Sequence, residues 1–331
     1  MKGESKLTPL ISVIIPCYNH QKYIQEAIYS VVNQTYSNIE LIILNDGSQD
    51  NSHKKILELE EICKARFTHF HYINKLNEGV AATLNKGLVL SKGLYISFCA
   101  SDDRYLENHI ETLVNKYMQL DDSVAMVSGN TNFIDNQGRE MYFDKNHKVV
   151  YDREQAFFTS LKELTYEYNP IEYIKEYGTY KSVVLGRCGI NQATMFVRQA
   201  LIDVGMFNMG NKVEDVGIWL KIAKKYKAVY IDKILYSYRL HGENSVMLSM
   251  PEFNRDIIRL LLNEKEYCFT HGLKREWRVR FYNTLISMYV RGKDYKFVTK
   301  LLKQESACLF AWYATMKVLT KINKRIRLAR S

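Results

Sequence analysis

The chain has 331 residues and a formal net charge of +10, from 46 Lys and Arg against 36 Asp and Glu. Residues 251–331 hold 18 basic and 7 acidic side chains, which leaves 28 against 29 for residues 1–250. A nearly neutral body argues against a chain that coats nucleic acid, and 47% hydrophobic with 25% charged residues argues against wholesale disorder.

The apolar run at residues 10–15 is too short for a secretory signal, and no window approaches 18 uninterrupted apolar residues. The six cysteines are scattered, with no CxxC pair, so neither a zinc site nor a disulfide framework is expected. These features predict a cytoplasmic protein.

Elements follow in alternation. Residues 11–15 form a short β-branched run that reads as a buried strand. Ile24, Ala27, Ile28, Val31 and Val32 recur at helical spacing, predicting a helix over 21–34. Residues 40–44 read as a second strand. A turn at Asn45, Asp46, Gly47 and Ser48 leads to a helix from about residue 50, with Ser48 or Asp50 as its cap. A third strand is expected at 69–73, a helix at 80–90, a fourth strand at 94–98, a helix at 106–120 and a fifth strand at 124–127. Alternation of this kind implies a parallel sheet covered on both faces.

Residues 130–185 lose the pattern and read as an excursion with a helix near 153–162. Order returns with a strand at 192–197, helices at 198–204 and 216–225, and a strand at 228–238. From about residue 251 the pattern is helical. The predicted organisation is an α/β domain over 1–248 and a helical, basic region over 249–331.

Three polar clusters directly follow predicted strands: Pro16 to Asn19, Asn45 to Ser48, and Ser101 to Asp103. In an open parallel sheet, ligands bind outside the carboxyl ends of the strands. Tyr18 offers a flat face for a base, Asp46 offers acceptors, and Asp102 with Asp103 offers hard oxygen donors for Mg2+ or Mn2+. A turn and a helix cap would explain each cluster singly. Their convergence at one mouth is the stronger signal. Neither GxGxxG nor a phosphate-loop signature is present.

Residues 9–246, apart from the excursion, resemble the family 2 inverting glycosyltransferases with a GT-A fold. The resemblance is carried by residues 11–52, by NEGVAATLNKGL (77–88), by SKGLYISFCASDD (91–103), and by QATMFVRQALIDVGMFN (192–208). It continues in Glu214-Asp215 and in Tyr238-Arg239-Leu240-His241. It implies that Pro16 and Tyr18 line the base and that Asp46 hydrogen-bonds its edge. It also implies that Asn77 and Gly79 lie beside the nucleotide, and that Asp102 faces the ribose or donor sugar. Asp103 would coordinate the metal with His241, Ser245 would support that histidine, and Asp215 would be the general base.

Asn45 departs from the acidic residue common at that position, and Arg104 is more basic than in many relatives. The implied partners are a nucleoside-diphosphate sugar, UDP-linked, and a glycan or polyprenyl-linked glycan acceptor at a cell surface. Specificity for the acceptor is expected from the excursion and residues 186–191. A non-catalytic relative that keeps only the fold is the alternative. A nucleotidyltransferase would need a basic phosphate-binding loop, which Pro16 to His20 does not supply.

Residues 317–330 carry Lys317, Lys321, Lys324, Arg325, Arg327 and Arg330 with no acid, interleaved with Val318, Leu319, Ile322 and Ile326. This reads as an amphipathic helix for an anionic membrane surface, each basic residue contributing about 1 kcal/mol. A solvated helix face or a contact in a homo-oligomer is the other reading.

Overall fold

The computed structural model describes residues 8–168, 173–187, 192–210, 213–242, 250–290 and 294–315. Ser245, residues 188–191 and the basic run 317–330 lie outside the described residues. The chain divides into two compact units, residues 1–183 with 187–241, and residues 184–186 with 242–331.

In the first unit, β1 (Ile11–Cys17) and β2 (Ile39–Asp46) are apolar runs almost wholly buried, as strands covered on both faces must be. Between them, α1 (Ile24–Val32) turns Ile24, Ala27, Ile28 and Val31 inward. The helix expected from residue 50 is two helices, α2 (Ser52–Leu57) and α3 (Glu60–Arg66). Asp50 accepts from the backbone N–H of Ser52 and of Gln21, tying the start of α2 to the loop after β1. Next come β3 (His69–Lys75) and α4 (Val80–Leu90). A Cβ on Gly87 would sit 2.6 Å from Ile14 Cγ2, so glycine is what lets α4 lie directly on β1.

The chain continues through β4 (Tyr95–Phe98), β5 (Arg104–Tyr105), α5 (His109–Tyr117) and β6 (Val124–Ile134). The fifth strand is thus longer than its apolar signal. Neighbours satisfy most of its buried polar half: Ser128 Oγ meets Thr194 Oγ1 at 2.7 Å, and Asn132 Nδ2 donates to Glu140 at 2.9 Å. In the excursion, β7 (Glu140–Phe143) and β8 (Val149–Val150) form a small antiparallel ribbon. The helix expected near 153–162 is a single 3-10 turn at Arg153–Gln155, and a helix, α6 (Leu161–Tyr168), follows it. Two short helices, α7 (Tyr173–Glu176) and α8 (Tyr180–Leu185), come next. The unit closes with β9 (Thr194–Val197), α9 (Arg198–Asp203), α10 (Glu214–Ala223) and β10 (Lys227–Arg239).

The strand order is β3-β2-β1-β4-β9-β6-β10-β5. The first four pair in parallel, and β10 pairs in parallel with β6. The sheet is mostly parallel, as expected, with β9 running antiparallel to both β4 and β6. A parallel connection needs a covering crossover. The excursion that precedes β9 returns the chain in the opposite direction. The architecture is a mixed, mostly parallel sheet flanked by helices.

In the second unit, α11 (Met250–Asn263), α12 (Lys265–Thr270), α13 (Lys274–Val290) and α14 (Tyr295–Gln304) are helical, as the sequence predicts. They bury Ile258, Leu261, Trp277, Phe281 and Leu285. The Trp277 indole donates to Leu261 O and stacks on Phe281 at 4.5 Å. Among the described residues, no helix is long and apolar enough to cross a membrane.

Candidate active site

The turn after β1 presents Tyr18, 47% exposed, at the sheet's carboxyl edge. Asn19 adopts a positive φ of 56°. Its N–H donates to Ser48 Oγ at 2.9 Å, and its side-chain oxygen accepts from Gln49 N at 2.8 Å. Two loops are thereby locked together beside the exposed ring. Gly47, with φ 71°, has Asn77 N only 2.7 Å from where a Cβ would be, so the Asn77–Gly79 loop packs against this turn.

Asp46 does not face outward as expected. It is 4% exposed, and its carboxylate accepts from Glu78 N at 2.9 Å, from Gly79 N at 3.0 Å and from the Lys75 ammonium. Burial pushes its pKa up, but the Lys75 ammonium and the Glu78 N–H outweigh it and hold the carboxyl below its ordinary range. Asp46 fastens the loop from β3 to α4, whose residues 76–79, Asn77 and Gly79 among them, are all exposed.

At the end of β4, Asp102 and Asp103 diverge. Asp103 is 1% exposed; its oxygens accept from Arg239 N–H at 2.7 Å and from Tyr236 OH at 2.9 Å. Burial, then the neighbouring Asp102 charge, lifts its pKa well above the usual carboxylate range. Asp102 turns the other way, its Oδ2 3.1 Å from His241 Nε2 and 3.9 Å from His20 Nε2. Burial raises its pKa, yet the His241 hydrogen bond and the His20 ring together bring it below the ordinary value. In the fold it is Asp102 that meets His241, while Asp103 is engaged by Arg239 and Tyr236. Asp103 cannot turn there without leaving two buried donors unpaired.

His109, fully buried beneath this loop, stacks on Tyr105 at 3.9 Å and bridges Ser97 Oγ and Leu235 O. Burial lowers its pKa to about 3, so it serves as a neutral brace.

The second acidic pair opens α10. Glu214 and Asp215 line a cleft shared with Pro16, Phe98, Phe207 and Trp219. Asp215 Oδ1 accepts from Val216 N at 2.7 Å. Desolvation raises the pKa of Asp215, and desolvation with the Asp215 charge raises Glu214 to about 8. A helix N-terminus stabilises a carboxylate, but here the apolar walls dominate. Cys99 and Ala100 line the cleft just before the Asp102-Asp103 loop, and the charges of Asp103, Asp102 and Asp215 all add to the burial that raises the Tyr238 pKa.

Among the described residues, no group of three or more His, Cys, Asp or Glu side chains is arranged to hold a metal by itself. Asp102 and His241 would supply two donors of the hard oxygen and imidazole kinds that Mg2+ and Mn2+ accept. Sequence reasoning missed His20, Tyr23 and Glu26, and assigned no role to Arg239. Tyr23 packs tilted against His241 with ring centroids 5.1 Å apart, and Glu26 pairs with Arg239. The only sequence signals were a Tyr and a Glu three apart at the start of α1, and an Arg ending a buried strand.

A family model described as Glycosyl transferase family 2 matches residues 12–191. Glycosyltransferase GlyG of Streptococcus pneumoniae serotype 4 is 29% identical over 300 residues, 88% of this chain and 89% of its own length. An uncharacterized glycosyltransferase of Rickettsia felis is 30% identical over 236 residues, 71% of this chain. The chain spans 35% of that relative's length and 41% of a similar one from Rickettsia conorii. Among solved structures, the mannosyltransferase PcManGT from Pyrobaculum calidifontis, in complex with GDP-Man and Mn2+, aligns with a TM-score of 0.60 at 14% identity. That alignment covers 95% of this chain and 81% of that one. S. aureus TarS 1-349 in complex with UDP-GlcNAc aligns with a TM-score of 0.54 at 17% identity, covering 86% and 74%. At such identities the structural likeness establishes the fold, while the family model spans more than half of the chain and includes β1, the turn after β2 and the Asp102-Asp103 loop. The chain belongs to glycosyl transferase family 2.

Proposed function

We propose that this chain moves a sugar, with inversion, from a nucleoside diphosphate to a hydroxyl of a glycan or lipid-linked glycan acceptor in cell-surface polysaccharide synthesis. The observation that carries the reading is the contrast between two acidic pairs whose charges both reach Tyr238. One lies beside histidines with its outward carboxyl lowered in pKa, and the other lies in an apolar cleft with both carboxyls raised. UDP is the favoured nucleotide because the TarS structures hold UDP and UDP-GlcNAc. The cleft pair also favours an enzyme over a binding relative, since binding alone has no need of a desolvated base.

In this reading Tyr18 stacks on the base, and Asn77 and Gly79 border the nucleotide. Asp215 accepts the proton of the acceptor hydroxyl as that oxygen attacks the anomeric carbon. The bond from that carbon to the diphosphate oxygen breaks, and the nucleoside diphosphate leaves from the opposite side with the bonding electrons. A raised pKa suits a base working near neutral pH. Asp102 and His241 would hold a divalent cation, which when bound neutralises charge on the diphosphate. Arg104 is bound to Glu26 and Gly138 O, which occupies it away from phosphate. The basic run 317–330 gives the protein a peripheral place on the cytoplasmic face of a membrane, near a lipid-linked acceptor.

The test is a panel of nucleotide sugars with Mn2+ and with chelator, read as release of the nucleoside diphosphate. Metal-dependent release from one donor is expected. No release from any donor by the folded protein, with or without acceptor glycans, would sink the reading.

A further inference from the structure

We infer that Arg239, held by Glu26, is the positioning residue that fixes Asp102 and His241 relative to one another. The inference rests on the reading of those two side chains as the cation-binding pole.

Arg239 is 1% exposed, and the surroundings use nearly every face of it. Its Nε donates to the carbonyl of Asp102 at 2.7 Å, and its own backbone N–H donates to Asp103 Oδ1 at 2.7 Å. Nη1 donates to Asp135 O at 2.8 Å, at the end of β6, and Nη2 donates to Glu26 on α1. The guanidinium lies over the Tyr23 ring, 4.9 Å from its centroid, and that ring packs against His241. One side chain thus grips the backbone of Asp102 and, through Tyr23, the back of the His241 ring.

The planar guanidinium explains the choice of residue. Its donors form a rigid fork that serves several acceptors at fixed angles, which a lysine ammonium cannot do. A buried cation needs a paired anion. Glu26 supplies it from a partly exposed position and shares its other oxygen with Arg104 Nη1 at 2.9 Å. Arg104 in turn donates to Gly138 O at 3.2 Å. The bracket joins α1, β5, the turn after β6 and the end of β10 around the Asp102-Asp103 loop. A cation pole built on such a bracket is set before any donor arrives, so no ordering cost falls on binding.

The test compares the full chain with its Glu26→Gln and Arg239→Lys variants. Mn2+ is titrated in the presence of UDP and followed by electron paramagnetic resonance. Uridine, which carries no phosphate, is titrated in parallel by calorimetry. Loss of a partner behind a metal ligand typically costs about 10–100-fold in metal affinity. The expected result is a loss of that size for Mn2+ with uridine affinity unchanged. Equal losses for both ligands, or wild-type Mn2+ affinity in a folded Glu26→Gln variant, would overturn the inference and leave Arg239 a general brace. Glu26→Gln carries the test if Arg239→Lys does not fold, because Glu26 lies at the rim. Absence of Mn2+ binding by the wild-type chain with UDP would instead remove the cation-pole reading, and the inference with it.

Discussion

Two pairs of consecutive acidic residues, Asp102-Asp103 and Glu214-Asp215, look alike in the sequence and have opposite surroundings in the fold. The first sits among His20, His241, Tyr236 and Arg239, and it divides its labour. Asp103 points inward and locks the loop to β10, while Asp102 keeps its charge beside two imidazoles. The second pair starts a helix but lines a cleft walled by Phe98, Phe207 and Trp219, where both carboxyls are pushed up in pKa. The lesson is that local motif predicts the presence of carboxylates, and the neighbours decide whether they hold a charge or take a proton.

The largest expected effect breaks the second pair. Asp215→Asn keeps the shape and removes the base, so kcat should fall by about 10²–10⁴-fold, with donor affinity retained. Steady-state kinetics beside a donor-binding titration check this. Near wild-type kcat in a folded variant would remove Asp215 from the chemistry.

A smaller effect separates nucleotide from sugar recognition. Tyr18→Ala removes the exposed ring, and stacking of a base on an aromatic is worth about 1–3 kcal/mol. Donor KM should rise accordingly with kcat little changed. An unchanged KM would mean that the base binds elsewhere.

A third effect is a linkage one, read in stability rather than in kinetics. Glu214 rises from 4.5 in its ordinary state to about 8 in the fold. Its contribution to stability is fully present below pH 4.5 and is lost as pH rises through about 8. Glu214→Gln cannot ionise, so the wild type should lose Tm relative to this variant across that window. Thermal unfolding at a series of pH values tests it; parallel Tm curves for the two proteins would show that Glu214 is not desolvated.

Much of the fold was legible because parallel strands buried on both faces read as β-branched runs, as in β1 and β2. The direction of β9 was not legible, since alternation of elements carries no strand polarity and the preceding excursion has no periodic signal. The extension of β6 through Ile134 was hidden for a similar reason. Its Ser128 and Asn130 are buried against Thr194 and the Lys162 N–H, 66 and 32 residues later, and Asn132 against Glu140 of β7. At the site, the positions of the carboxylates could be read from strand ends, but their orientations could not. Asp103 turns inward because Arg239 and Tyr236, more than 130 residues later, meet it there. Asp46 likewise turns inward to the loop it closes.

The separation of the two pairs is tested most directly by Mn2+ titration with UDP present, comparing Asp102→Asn with Asp215→Asn. Asp102→Asn is expected to abolish Mn2+ binding, and Asp215→Asn to leave it at the wild-type affinity. Retention of Mn2+ by Asp102→Asn, or its loss in Asp215→Asn, would contradict the assignment of charge holding to the first pair and proton transfer to the second.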